Sequence, residues 1–171
     1  GAEPFVTEAN TGAAIEALAK ELDALGVPHE TGGHSGEAFR NAALVVPSPG
    51  VPPSHDPIQH ARDAGADVVS ELEFASAFCR SRTLAVTGTN GKTTTTELLR
   101  CLAAACGHEV MLAGNNNMPF STAVMVDPPP PFIVLEISSY QLELVRAFRP
   151  WIATVLNVTP DHLARHGTIE G

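Results

Sequence analysis

An α/β fold built on parallel sheets is what the sequence predicts, and three observations predict it. Short apolar segments alternate with helix-like segments along most of the 171 residues, the order that produces parallel strands covered by helices. Hydrophobic residues make up 44% of the chain but aromatics only 5%. The core must therefore come from Val, Leu, Ile and Ala, which suits buried parallel strands. Finally, the strand-like segment 84–87 runs through a glycine-containing loop into a helix-like segment, a junction that gathers backbone N–H groups.

The elements follow in order. Phe5 and Val6 end a short strand. Asn10 or Thr11 then caps a helix that carries Ile15, Leu18, Leu22 and Leu25 on one face and stops at Gly26. Residues 27–30 read as a strand and 32–36 as a loop. Residues 42–46 read as a buried strand, halted by the proline-rich stretch 47–53. A helix over 55–64 stops at Gly65, 67–69 is a strand, and Ser70 starts a helix through Phe78. After the strand 84–87, a helix runs to about Cys106 with Leu98, Leu99 and Leu102 facing inward, and Gly107 ends it. Residues 109–112 form the next strand. Pro128 to Pro131 form a linker, because proline cannot continue a helix. Residues 132–136 and 152–156 read as two further buried strands, and a last helix begins shortly before the end of the chain.

Charge and composition exclude several function classes. Ten Lys and Arg stand against nineteen Asp and Glu, a formal charge of −9. That balance argues against a nucleic-acid partner, which needs a basic face. No apolar run approaches the ~20 residues that span a bilayer, so no membrane partner is expected, and the first residues have no signal-peptide pattern. Cys79, Cys101 and Cys106 form no paired spacing and read as reduced thiols of a cytoplasmic protein. Oligomeric state is not legible.

Gly88, Thr89, Asn90, Gly91, Lys92, Thr93 and Thr94 carry the clearest chemistry. Small residues let the loop curl until its N–H groups converge on phosphate oxygens. Lys92 can reach the terminal phosphates, and the Thr93 hydroxyl can ligate Mg2+. The general phosphate-loop pattern places a glycine where this chain has Val86, so a bare pattern search passes the loop over. The plainer alternative is a strand-to-helix turn with an exposed lysine. It leaves four consecutive β-branched residues, Thr93 to Thr96, as a costly helix start.

Four motifs then carry a family resemblance. Residues 87–93, with Gly88 to Thr93, resemble the shortened phosphate loop of the Mur ligases and their folylpolyglutamate synthetase relatives. Residues 135–142 (Leu-Glu-Ile-Ser-Ser-Tyr-Gln-Leu) resemble the segment marking the D-glutamate-adding branch. Residues 156–162 (Leu-Asn-Val-Thr-Pro-Asp-His) match the motif that follows, and residues 46–50 (Val-Pro-Ser-Pro-Gly) resemble a loop of the first domain. The order and spacing of the four are far more specific than any one, and the resemblance is weakest before Leu44. It implies a partial Rossmann-like domain for UDP-substrate binding over 1–82, with its first strand and helix missing. The first part of a P-loop-type ATPase domain would occupy 83–171, with its remainder and the C-terminal domain absent.

The resemblance also implies a reaction and a set of roles. An ATP-dependent ligase of peptidoglycan synthesis would phosphorylate the carboxylate of UDP-N-acetylmuramoyl-L-alanine, and D-glutamate would attack the acyl phosphate. The fragment alone would be inactive. Lys92, Glu136 and His162 would be catalytic, with Thr93, Glu136 and His162 at Mg2+. ATP would meet residues 88–94 and Asn157. Ser48, Pro49, Gly50, Asn115 and Ser138 would meet the UDP substrate. Each has a plainer alternative: a solvent-reaching Glu136, a turn at Pro49, a turn-forming Asn157 and a helix cap at Ser138. Asn116 and Asn117 stand where the family usually has Ile-Gly, and Asn116 has no role in the sequence reading. His166, four residues after His162, is too little for a zinc site. It reads as a surface residue, as do His29, His34, His55, His60 and His108. Three rivals remain: a Mur-type ligase for another amino acid, a nucleotide-binding module without ligase activity, and an ordinary P-loop ATPase or GTPase. The last lacks its expected aspartate-ended strand and base-specific motif.

Overall fold

The computed structural model describes residues 1–116 and 118–168 and divides the chain into two compact units. Asn117, expected to stand in for a glycine, and residues 169–171 lie outside the described residues.

The first unit comprises Gly1–Val45 and Ser54–Val68. Strand β1 (Val6–Glu8), helix α1 (Ala13–Ala24) and strand β2 (His29–Thr31) form a parallel βαβ unit. Helix α2 (Gly36–Asn41) precedes β3 (Leu44–Val45), and α3 (Asp56–Asp63) connects it to its parallel partner β4 (Asp67–Val68). A small core gathers Phe39, Ala61 and Ala66, with Val45 against it.

Several expectations change here. Neither Asn10 nor Thr11 caps α1; Gly12 occupies the N-cap with no side-chain bond. The Asn10 amide is engaged instead, donating to Glu8 Oε1 at 2.6 Å. Leu18 and Leu25 of the expected apolar face are exposed, because a two-stranded sheet is too narrow to cover a twelve-residue helix. The 42–46 strand shrinks to two residues, and Leu44 is 43% exposed rather than buried. Helix α2 was not foreseen. His34 is not free at the surface: its Nδ1 lies 2.7 Å from Thr7 Oγ1.

The second unit comprises Val46–Pro53 and the described residues from Val69 on. Its elements are α4 (Glu71–Ser76), β5 (Arg82–Thr87), α5 (Lys92–Ala105), β6 (Val110–Gly114), α6 (Phe120–Val124), β7 (Phe132–Glu136), α7 (Ser139–Leu142), β8 (Ile152–Val155) and α8 (Leu163–His166). The four strands form an all-parallel sheet in the order β6-β7-β5-β8. Side chains alternate across such a sheet. Ile133, Leu135 and Ala85 join Leu72 and Ala75 of α4 and Phe120 and Ala123 of α6 in the core. Val134 and Glu136 take the opposite face. α4 lies before residue 83, yet it packs on α6, so it belongs to this unit.

Burial follows strand position. Interior strand β7 is buried from Ile133 through Glu136. β8 was expected to be buried but is exposed at all four residues; among the described residues it pairs with β5 on one side alone. The inward face of α5 also differs: Leu98 and Leu102 are each 56% exposed, while Thr96 is fully buried. The face that meets the sheet is set by the 92, 96, 99, 103 row. The buried Thr96 hydroxyl donates to Thr93 O at 3.0 Å, which satisfies it inside the helix. Among the described residues no helix is long and apolar enough to cross a membrane.

Two carboxylates of α4 fasten its neighbours. Glu71 Oε1 accepts from Ser121 N in the first turn of α6. Glu73 accepts from the backbone N–H groups of Arg146, Ala147 and Phe148, at 2.9 to 3.0 Å. Burial alone would raise the Glu73 carboxyl, but those donors outweigh it and hold the group below its ordinary value of 4.5. A lowered folded value means that the stabilisation is complete above the unfolded value and disappears as the pH falls through the folded one. Glu73→Gln should therefore cost about 1–3 kcal/mol at neutral pH in urea denaturation. The deficit relative to wild type should shrink below pH 4.5.

Gly114 ends β6 at φ 100°, and a Cβ there would lie 2.1 Å from Glu136 O. The obstacle is a backbone atom of the central strand, so nothing can yield cheaply. Gly107 has a similar φ of 81° but open space around it. Gly107→Ala should cost only the left-handed penalty, about 1–2 kcal/mol. Gly114→Ala should cost about 1–3 kcal/mol more by the same denaturation measurement, from overpacking against backbone.

Candidate active site

The C-terminal ends of parallel strands are where open α/β sheets place their ligand-handling residues. β5 and β7 are adjacent and in register, with Val86 opposite Glu136. β5 feeds the loop 88–91 into α5, and β7 delivers Glu136 to the same end. Glu136 is 1% exposed, which demands donors for both its oxygens. Thr93 Oγ1, in the first turn of α5, donates to Glu136 Oε2 at 2.9 Å. Asn115 Nδ2 and Asn116 Nδ2 donate to Glu136 Oε1 at 3.2 and 2.7 Å. Asn116 Nδ2 also reaches Thr93 Oγ1 at 2.8 Å. The turn that carries both asparagines is pinned by Asn115 N donating to Glu136 O at 2.8 Å. Asn116 is thus part of the cluster, a role the sequence offered no sign of.

The loop itself is clamped to the segment after β8. Asn157 makes two reciprocal bonds with Asn90, accepting from Asn90 N at 2.9 Å and donating to Asn90 O at 3.0 Å. Thr89 N donates to Asn157 O, and Thr89 Oγ1 pairs with both N and O of Thr159. Asn157 thus fastens the loop to the segment after β8. Gly88, at φ 136°, permits the approach, since a Cβ there would lie 2.9 Å from Asn157 O. Lys92 folds back over the loop, its Nζ donating to Gly88 O at 2.7 Å and Thr89 O at 3.0 Å. α5 begins at a left-handed Gly91 with no side-chain cap, so N–H groups of its first turn, which includes Thr94, have no helical partner.

A cleft of about 320 Å3 opens beside the loop, and Gly88, Lys92, Ser138, Tyr140, Asn157 and His162 line it. Ser138 caps α7 in a reciprocal box with Gln141, donating its N–H to Gln141 Oε1 at 2.9 Å. His162 sits at the left-handed N-cap of α8, with φ 52°, its Nε2 3.7 Å from Asp161 Oδ2. Its ring lies 5.0 Å from that of Tyr140. His166 is not a surface residue: its Nε2 lies 2.9 Å from Ser139 Oγ, and its ring lies 5.6 Å from Tyr140.

Ser48, Pro49 and Gly50 lie apart from the Thr93–Glu136 cluster, in an exposed turn closed by Val51 N donating to Ser48 O at 2.9 Å. One residue ties that turn to the cleft. Arg165 of α8 grips Glu143 with Nε at 2.9 Å and Nη2 at 2.7 Å, stacks on Tyr140, and donates to Gly50 O and Val51 O. The Glu143 bond raises the guanidinium above its ordinary value although burial opposes this. Sequence reasoning missed Arg165. Its only sign was a position three residues after His162.

The Thr93 hydroxyl and Glu136 carboxylate offer hard oxygen donors of the kind Mg2+ takes, completed elsewhere by phosphates or water. Among the described residues no group of three or more His, Cys, Asp or Glu side chains is placed to hold a metal ion.

Comparison with known proteins bears on this arrangement. Residues 86–171 match the Mur ligase middle domain. The chain is 46% identical over 171 residues to the UDP-N-acetylmuramoylalanine–D-glutamate ligase of Salinibacter ruber, covering 97% of this chain and 36% of that protein. It is 47% identical to the same-named ligase of Chlorobaculum parvum, covering 98% and 36%. It therefore spans about a third of the length of these curated relatives. Among solved structures, the UDP-N-acetylmuramate:L-alanyl-gamma-D-glutamyl-meso-diaminopimelate ligase of Neisseria meningitides matches with a TM-score of 0.54 at 17% identity. That match covers 99% of this chain and 65% of that one, and it supports the α/β fold alone. The middle-domain match takes in the phosphate-loop segment, Glu136, Ser138 and His162 and extends over half of the sequence, so the chain belongs to the Mur ligase family.

Proposed function

We propose that the whole protein is an ATP-dependent ligase of peptidoglycan synthesis that joins D-glutamate to UDP-N-acetylmuramoyl-L-alanine. The observation that carries this reading is the Thr93–Glu136 pair, 2.9 Å apart at the root of a lysine-bearing glycine loop. The names of the relatives at 46–47% identity support the choice of substrates.

The chemistry needs little covalent help from the protein. A carboxylate resists attack because its charge is delocalised over two oxygens. Transfer of the γ-phosphoryl group of ATP to one of them breaks the bond to ADP and forms an acyl phosphate. The D-glutamate amine then attacks the acyl carbon, an amide bond forms, phosphate leaves, and the amine loses a proton. Positioning and charge neutralisation carry most of the barrier lowering in such transfers.

The roles proposed for the residues combine the family resemblance with the contacts described above. The first-turn N–H groups of α5 and the loop 88–94 receive phosphate oxygens, and Lys92 exchanges Gly88 O and Thr89 O for them. Thr93 and Glu136 would hold Mg2+, which would offset phosphate charge. His162, beside the cleft, would be a single contact to a second cation. Asn157 acts on ATP through Asn90. Ser138 and Asn115 meet the alanyl and sugar parts of the substrate, and Ser48, Pro49 and Gly50 meet its diphosphate end. Arg165 supports this assignment by tying their turn to α8. The domain organisation belongs to the same proposal: a UDP-substrate domain followed by an ATPase domain, with α4 and the 46–53 turn on the ATPase side of the boundary.

Full-length protein supplied with ATP, Mg2+, UDP-N-acetylmuramoyl-L-alanine and D-glutamate should release phosphate in step with amide product. Product with a different amino acid would reassign the substrate, and nucleotide binding without turnover would make the protein a binding module. Lys92→Ala should lower kcat roughly 10²–10³-fold. Activity near wild type in that variant would remove the loop from the mechanism.

A further inference from the structure

Asn116 presents one amide nitrogen to two oxygens at once: 2.7 Å from Glu136 Oε1 and 2.8 Å from Thr93 Oγ1. The NH2 group of that amide faces Glu136 and donates to it, leaving its carbonyl oxygen as an acceptor. The remaining oxygen, Oδ1, takes a bond from Asn115 Nδ2 at 3.3 Å. Glu136 is almost wholly buried, and a buried carboxylate without a cation needs strong donors to stay in place. Its third donor, Asn115, is longer at 3.2 Å and does not bridge to Thr93.

We propose that Asn116 is a positioning residue that stands in for the cation: its amide bridges Thr93 and Glu136 while no metal is bound, and it must swing away for Mg2+ to bridge them. The inference rests on the assignment of Thr93 and Glu136 as the Mg2+ ligands made above. It has two opposed consequences. The partial positive charge of the NH2 group holds both oxygens at bridging separation before the cation arrives, which stabilises the metal-free fold. The same bond must be broken at loading, so cation affinity is lower than the two oxygens alone would give. Asn116 itself is exposed and lies on the turn after β6, so the swing needs no core rearrangement.

The test uses full-length protein, with Mn2+ as a paramagnetic probe of the Mg2+ site. Free and bound Mn2+ are counted by electron paramagnetic resonance. Asn116→Ala and Asn116→Ile should each tighten Mn2+ binding about three- to tenfold and lower the melting temperature of the metal-free protein. Saturating metal should close that stability gap. In wild-type protein, the side-chain NH2 resonances of Asn116 should move towards the positions of a solvent-exposed amide as Mg2+ is added. Unchanged or weaker Mn2+ binding in both variants overturns the proposal, as does an Asn116 NH2 signal that stays fixed at saturating Mg2+. A stability loss without any gain in affinity makes Asn116 structural only and also overturns it. Glu136→Gln separates the two readings. If it leaves Mn2+ binding intact, the ligand assignment fails first. If it abolishes binding while the Asn116 variants bind as wild type does, only the stand-in fails.

Discussion

A carboxylate sealed at the end of the central strand governs the architecture of the second unit. Glu136 closes β7 at 1% exposure, and such a group is tolerated only when donors converge on it. Everything nearby is arranged to bring them. α5 starts where Thr93 can reach one oxygen. β6 ends in a glycine so its chain can turn across the Glu136 carbonyl, and that turn delivers Asn115 and Asn116 to the other oxygen. The register of β5 on β7 sets Val86 opposite Glu136 and so places the loop root beside the carboxylate. Loop, helix and turn are three answers to one desolvation problem.

A second layer of contacts holds that centre from the β8 side. The bonds from Thr89 and Asn90 to 157–159 fasten the loop to the end of an edge strand that is itself exposed. The strand adds no core, yet it is needed as an anchor. Arg165 extends the chain of contacts from Glu143 and Tyr140 to the Gly50 turn. A substrate held at that turn and a nucleotide held at the loop would thus be read against one frame.

Much of the fold and site was legible because it depends on local order. Strand–helix alternation gave the parallel sheet, Ser70 announced α4 by its cap, and the loop composition gave the junction at Gly88. What escaped was set by neighbours distant in sequence. Residues 152–156 have the apolar content of a buried strand, but β8, paired with β5 alone among the described residues, is exposed. Leu98 and Leu102 look inward-facing in a periodic pattern, yet the inward row is fixed by where Thr93 must meet Glu136, and that row carries Thr96 instead. Asn116 and Arg165 were silent because their meaning lies entirely in their partners: Thr93 and Glu136 for the first, Glu143 and Gly50 for the second. Of the site residues read from sequence, Gly88, Thr89, Lys92, Ser138, Asn157 and His162 line one cleft, while Thr93 and Glu136 pair beside the loop. The 48–51 turn is tied to α8 by Arg165, an arginine that no motif included.

Three carboxylates of this unit, Glu71, Glu73 and Glu136, differ in what holds them. Glu71 and Glu73 accept from backbone N–H groups, at Ser121 and at 146–148. Those donors cannot leave without unravelling a turn or a helix start, so the two acids are fasteners. The donors to Glu136 are the side chains of Thr93, Asn115 and Asn116. Each can rotate away while the backbone stays put. A carboxylate whose partners are exchangeable can take a cation in their place; one bound to backbone cannot. In a chain of net charge −9, acidic residues are plentiful. Side-chain donors, in place of backbone ones, are what set Glu136 apart from Glu71 and Glu73.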